Sequence, residues 1–231
     1  MKRQLAKPVG VNARRHFILS GVSLMVAGSC GALMKAQAAQ ATPTPIKPTV
    51  LVVGDSLSAE YGLRRGSGWV ALLADKALAE KPGFQVVNAS ISGDTTSGGR
   101  ARLGALLAQH KPQVVVIELG GNDALRGLPI KMTEDNLTQM VRACQKAGAR
   151  VLLVGMQVPP NYGAAYTEDF SRTFARVAAA EKTALVPFLL KGIADGPDAE
   201  RLFQADRIHP REEAHPRMLA NVWPELRRLL K

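Results

Sequence analysis

The chain is expected to fold as a three-layer α/β/α domain around a five-stranded parallel sheet. Short apolar runs alternate with amphipathic stretches at helical period through residues 49–231, the pattern of βα units. The runs are apolar at successive positions and not at every second one, so both faces of the sheet should be covered. Polar, glycine-containing segments follow the first three runs, which puts a candidate site at the carboxyl edge of the strands.

The strands are expected at residues 50–53, 85–87, 114–118, 151–154 and 184–186. The first, Val50-Leu51-Val52-Val53, is β-branched and apolar, suited to a buried central position. Helices are expected near 69–79, 100–109, 134–147, 170–181 and 216–230, where apolar residues recur every three or four positions. No internal repeat is visible.

The amino-terminal region stands apart from this pattern. Lys2, Arg3, Lys7, Arg14 and Arg15 form a basic head without an acid, an apolar stretch follows from Phe17, and Ala36-Gln37-Ala38 offers a small-x-small cleavage site. Residues 1–38 therefore have the layout of a cleaved export signal, with an uncleaved anchor as the alternative. Arg14-Arg15 also suits a twin-arginine signal, and Val26-Ala27-Gly28-Ser29-Cys30 is a distant version of a lipoprotein box with Ala27 where leucine is usual. Each version directs the chain out of the cytoplasm, to the periplasm or beyond. Residues 39–48 form a proline-spaced tether, and 49–231 form the single domain.

Removing residues 1–38 takes six of the thirty Lys+Arg and none of the nineteen Asp+Glu, so the net charge falls from +11 to +5. The remaining charge is dispersed, with no basic stripe of the kind that binds nucleic acid. It allows a mild attraction to anionic lipid surfaces and nothing more specific. Cys30 leaves with the signal, and Cys144 lies in the helical pattern Leu137, Met140, Val141, Cys144, which points to a buried structural thiol. The chain is expected to be a monomer.

Four segments carry candidate chemistry. They are Gly54-Asp55-Ser56-Leu57-Ser58-Ala59-Glu60-Tyr61-Gly62, Asn88-Ala89-Ser90-Ile91-Ser92-Gly93-Asp94-Thr95, Glu118-Leu119-Gly120-Gly121-Asn122-Asp123 and Asp206-Arg207-Ile208-His209-Pro210. The first three follow consecutive strands, so all four should meet at one edge of a parallel sheet. Taken singly, each has a plainer use. Ser56 suits a helix cap, Gly-Gly-Asn-Asp is good turn chemistry, and Asp55 and Asp123 lack further ligands at metal spacing and suit loop hydrogen bonds.

Together these segments resemble the SGNH (GDSL) hydrolases, in particular the bacterial periplasmic thioesterase, lysophospholipase and arylesterase group. The shared stretches are 54–62, 88–94, 118–127 and 160–163, in order and spread over the whole mature chain. The resemblance implies a flavodoxin-like fold and hydrolysis of acyl esters and thioesters, with Ser56, Gly93, Asn122 and His209 in the family's four roles. Ser56 would be the nucleophile, His209 its base, and Asp206 the group that orients the imidazole. The backbone N–H groups of Ser56 and Gly93 and the Asn122 amide would receive the oxyanion. Glycine at 93 would let the backbone approach the substrate closely.

A second acid-x-x-His-Pro segment, Glu212-Glu213-Ala214-His215-Pro216, competes for the role of the base. His209 is preferred because Ile208-His209-Pro210 matches the family motif, whereas His215 should fall at or inside the last helix, facing solvent or serving the fold. His110 is expected at the surface. Arg207 stands where the family often has glycine; crowding of the loop, a solvent position and contact with an anionic substrate all remain open.

By resemblance, Leu125, Pro159, Tyr162 and Ile208 are candidates for the acyl pocket. The implied substrates are aryl esters, lysophospholipids and acyl-CoA-like thioesters, with no cofactor and no metal. The alternative is a non-catalytic small-molecule or glycan-binding domain on the same scaffold. That version finds no phosphate loop after the first strand, where Val53-Gly54-Asp55-Ser56 lacks the required glycine spacing.

Overall fold

The computed structural model describes residues 47–231 apart from Pro82 and Pro159. The expected export signal and nearly all of the expected tether lie outside the described residues. Five strands form one parallel sheet: β1 Thr49–Gly54, β2 Gln85–Asn88, β3 Val114–Glu118, β4 Arg150–Val154 and β5 Ala184–Val186. Their spatial order is β2-β1-β3-β4-β5. The direction in which successive strands are added reverses between β1 and β3, and the carboxyl ends of these two parallel strands flank the crevice where such folds bind ligands. One continuous layer runs Asn88, Val52, Val116, Leu152, Ala184 across the sheet.

The helices are α1 Trp69–Glu80, α2 Thr96–His110, α3 Gly121–Leu125, α4 Ile130–Lys146, α5 Ala164–Ala180, α6 Ala199–Leu202 and α7 His215–Leu229. α1 packs against α7, whereas α2 packs on α4 and α4 on α5, which makes the two outer layers. β1 and β3 are buried along their whole length, as the apolar runs require. β2 departs from the expectation of two covered faces: it is an edge strand whose Gln85 and Asn88 are exposed and whose two valines are half-buried. An edge position needs less apolar surface, and the polar ends of this short strand accord with that.

Several helices are longer than their apolar periodicity suggests. α2 starts four residues before the expected boundary at 100, at a Thr95 cap whose hydroxyl accepts from the Gly98 N–H (3.3 Å). Ser97, Gly98 and Gly99 hide this turn because they show neither helix preference nor an apolar stripe. α4 and α5 likewise begin four and six residues before the positions expected from periodicity. Cys144 is buried in α4, and burial pushes its thiol up to about 12, in keeping with a structural role.

Candidate active site

The loops after β1, β2 and β3 and the segment before α7 meet at the carboxyl edge of the sheet. Ser56 lies on a run of turns after β1, with no helix directly behind it to cap. The loop is held from several sides. Asp55 Oδ1 accepts from the Leu57 N–H (3.0 Å), Asn88 Nδ2 donates to the Ser58 carbonyl (2.7 Å), and the Ile91 N–H donates to the Gly54 carbonyl (3.0 Å). Gly54 is required by closeness: a Cβ there would come within 2.8 Å of both Ser58 and Glu118 side-chain atoms.

Ser56 Oγ is 2.9 Å from His209 Nε2, and His209 Nδ1 is 2.7 Å from Asp206 Oδ2. A carboxylate accepts only, so Nδ1 carries the ring proton and Nε2 is left to accept from the serine hydroxyl. Asp206 Oδ1 accepts from the N–H groups of Ile208 and His209 (both 3.0 Å). Partial burial works against the Asp206 charge. The His209 and Ile208 N–H groups and the His209 ring outweigh it and hold the carboxyl down to about 2. The Tyr61 ring covers His209 at 4.3 Å between centroids.

Gly93 has φ +79°, a conformation that favours glycine whatever the available space. A Cβ there would meet only the Arg126 guanidinium, at 3.8 Å, so within the protein it is backbone conformation and not crowding that calls for glycine. Among the described residues, neither the Ser56 nor the Gly93 N–H donates to another group. Both are free to receive developing negative charge. Asn122, in α3, is engaged differently: its Nδ2 donates to Asp55 Oδ2 (2.9 Å) and to the Asp94 carbonyl (3.0 Å). Both amide hydrogens are therefore in use, and one must be redirected to serve an oxyanion.

Beneath these loops lie Glu118, Arg102 and Arg126, to which sequence patterns gave no role, and Asp55 and Asp123, to which they gave only loop hydrogen bonds. Glu118 ends β3 fully buried, with Oε2 2.7 Å from Ser58 Oγ and 3.4 Å from the Asp55 N–H. Burial, then the nearby Asp55 charge, raise its pKa well above the ordinary carboxyl range. Asp55 is itself raised by burial to about 6, although the Leu57 N–H and Asn122 amide oppose this. An acid closing an apolar strand was the available signal. Asp123 is also buried and receives the Thr96 N–H (2.9 Å) and the Thr133 hydroxyl (3.2 Å), joining α2, α3 and α4. Arg102 donates to Asp94 Oδ2 (2.8 Å) and Arg126 to the Gly93 carbonyl (2.8 Å), bracing the second loop.

A cavity of about 680 Å³ opens beside Ser56, Asn122 and His209. Of the pocket candidates, Leu125 and Ile208 line it but Tyr162 does not; its ring stacks toward Tyr166 instead (6.4 Å). Pro159 lies outside the described residues. Much of the wall comes from residues that no motif marks: Met156, Val158, Phe188, Leu190 and Phe203. Arg207 neither crowds the loop nor enters the core. It has φ +57°, its side chain is 81% exposed, and it pairs with Glu200 (3.3 Å) on the cavity rim. His215 is not solvent-facing. It is 2% exposed at the first position of α7.

Residues 52–217 match the GDSL-like Lipase/Acylhydrolase family. This chain belongs to that family. It is 56% identical over 182 residues to the esterase TesA of Pseudomonas aeruginosa, covering 79% of this chain and 89% of that protein. It is 44% identical over 168 residues to the Escherichia coli (strain K12) thioesterase 1/protease 1/lysophospholipase L1, covering 73% and 78% respectively. A crystal structure of TesA superposes with a TM-score of 0.75 at 55% identity, over 78% of this chain and 99% of the other. The chain is a serine esterase with the SGNH hydrolase fold, and its substrates are acyl esters.

Proposed function

We propose that this esterase cleaves fatty-acyl esters and thioesters through an acyl-enzyme on Ser56. The observation that carries the proposal is the apolar cavity that opens directly onto the hydrogen-bonded Ser56–His209 pair. Ser56 Oγ attacks the acyl carbonyl while His209 Nε2 takes the hydroxyl proton. Asp206 keeps the ring in the productive tautomer and offsets the imidazolium charge. The Ser56 and Gly93 N–H groups receive the oxyanion, and Asn122 joins them by turning one amide hydrogen away from Asp55 or Asp94. His209 then protonates the departing alcohol or thiol, and water, activated by the same ring, releases the acid.

The acyl chain lies along Met156, Val158, Phe188, Leu190 and Phe203, which supply an apolar wall with few polar groups. The E. coli relative's name includes thioesterase and lysophospholipase activities, and both leaving groups suit a cavity whose rim carries Arg207 and Glu200. The leader described above directs the mature chain, from Ala39 onward, to the periplasm or the exterior. There it acts as a monomer with at most a weak attraction to lipid surfaces.

The test is turnover of p-nitrophenyl esters of increasing chain length by the mature chain, beside Ser56→Ala. The parent turns over, with a preference for medium or long chains, and Ser56→Ala lowers kcat by ~10⁴-fold or more. Absence of turnover on every ester and thioester would leave the binding-domain alternative.

A further inference from the structure

The amino end of α1 joins the nucleophile loop to the histidine loop, and a second histidine sits in the joint. The N-cap Gly68 has no side chain to cap the helix, so other groups supply the acceptors. Glu60, next to the Tyr61 that covers His209, accepts from the N–H groups of Gly66 (3.0 Å) and Gly68 (2.8 Å). The next N–H, that of Trp69, donates to His215 Nδ1 (2.9 Å). The Pro210 carbonyl lies on the side of the ring where it favours the protonated form. Gln204 completes the tie: Nε2 donates to the carbonyls of Tyr61 (3.0 Å) and Pro210 (3.2 Å), and its N–H to the carbonyl of His209 (2.8 Å).

We propose that His215 is a positioning residue for hydrolysis: by accepting from the Trp69 N–H, its imidazole pins the start of α7 to α1 and so sets the place of the segment just before it, which carries His209. This rests on the hydrolytic role given to His209 above. His209 precedes Pro210 directly, and proline has no N–H, so the Pro210 carbonyl is that residue's only backbone hydrogen-bonding group. A displacement of about 1 Å in a catalytic group is enough to cost ~10²-fold in rate.

The arrangement also depends on pH. Nδ1 accepts a hydrogen bond, so the ring proton is on Nε2. A second proton would set an N–H against the Trp69 N–H and place a cation at the positive end of a helix. Burial lowers the His215 pKa below the ordinary histidine value, partly offset by the Pro210 carbonyl and the Glu60 and Glu212 carboxylates. Glu212 is in turn paired with Arg64 (2.7 Å). A depressed histidine pKa means that the unfolded chain takes the proton first, so the contribution to stability is present at neutral pH and lost on acidification.

The experiment compares the parent, His215→Ala and His215→Gln on p-nitrophenyl butyrate, with kcat, KM, melting temperature and pH profile for each. His215→Ala should lower kcat ~10- to 100-fold with KM within about twofold, measured well below its melting temperature. His215→Gln should recover most of this, because its Oε1 can accept from the Trp69 N–H in place of Nδ1. Its acid limb should also be shallower than the parent's. A folded His215→Ala with parental kcat would overturn the proposal, even if its melting temperature fell. Where His215→Ala does not fold, an acid limb in His215→Gln that superimposes on the parent's would overturn it. A parent without turnover is a different result and overturns the hydrolytic role itself.

Discussion

His209 and His215 stand six residues apart, each with an acid three positions before it and a proline after it. In the first segment Arg207 adopts φ +57°, the chain folds back, and Asp206 reaches both the His209 N–H (3.0 Å) and the His209 ring (2.7 Å). In the second, residues 212–214 form a 3₁₀ turn leading into α7, Glu212 turns outward to Arg64 (2.7 Å), and the ring of His215 points inward to α1. One imidazole therefore keeps an acceptor nitrogen for a serine hydroxyl, while the other spends it on a backbone N–H. The spacing brings an acid near a histidine, but the backbone path between them decides whether the pair faces a site or the core.

The largest effect should come from exchanging the two positions' side chains for the same residue. His209→Gln should lower kcat/KM by ~10⁴-fold or more, whereas His215→Gln should stay within a few-fold of the parent. Steady-state kinetics on one soluble ester decides this, and equal losses would erase the distinction between the segments.

A smaller effect is expected at the acid that distinguishes them. Asp206→Asn should cost ~10²- to 10⁴-fold in kcat, because a neutral amide no longer enforces the tautomer or offsets the imidazolium. With its folded pKa depressed to about 2, Asp206 contributes stability above its ordinary value of 3.8, and this is lost as pH falls through about 2. The parent should therefore keep this contribution under mildly acidic conditions. Melting temperatures of parent and variant, converging only at strongly acid pH, would check it.

The smallest effect should be on stability alone, and it concerns the opposite kind of acid. Glu118 is buried and its pKa is raised, so the folded chain holds its proton above 4.5, where the unfolded chain has released it. Stability linked to this group is full below that value and falls as pH rises toward the folded pKa. Glu118→Gln removes the titration while keeping the acceptor for Ser58 and the Asp55 N–H. Its melting temperature should gain on the parent's as pH rises above 4.5, and parallel profiles would rule this out.

Much of the carboxyl edge was legible from local chemistry. Five strands appear where the apolar runs lie, and Ser56 and Asn122 follow β1 and β3 closely, whereas Asp206 and His209 lie far beyond β5 and were marked by the family resemblance. The cavity beside Ser56 was less legible. Leu125 and Ile208 adjoin recognisable motifs, whereas Phe188, Leu190 and Phe203 look like ordinary core residues until the chain between β5 and α7 folds over the site. Tyr162 shows the converse: it lies in a family-like stretch, yet it packs toward α5 and away from the cavity.

Residue order alone determined the parallel α/β architecture and the segments that carry the candidate groups, because strand burial and turn chemistry act over a few neighbouring positions. Only the tertiary structure decided which histidine meets Ser56, how deeply Glu118 and Asp55 are buried, and which apolar side chains border the cavity. Those outcomes depend on contacts between segments far apart in the chain. Burial, dielectric environment and hydrogen-bond partners come into being only when such segments meet.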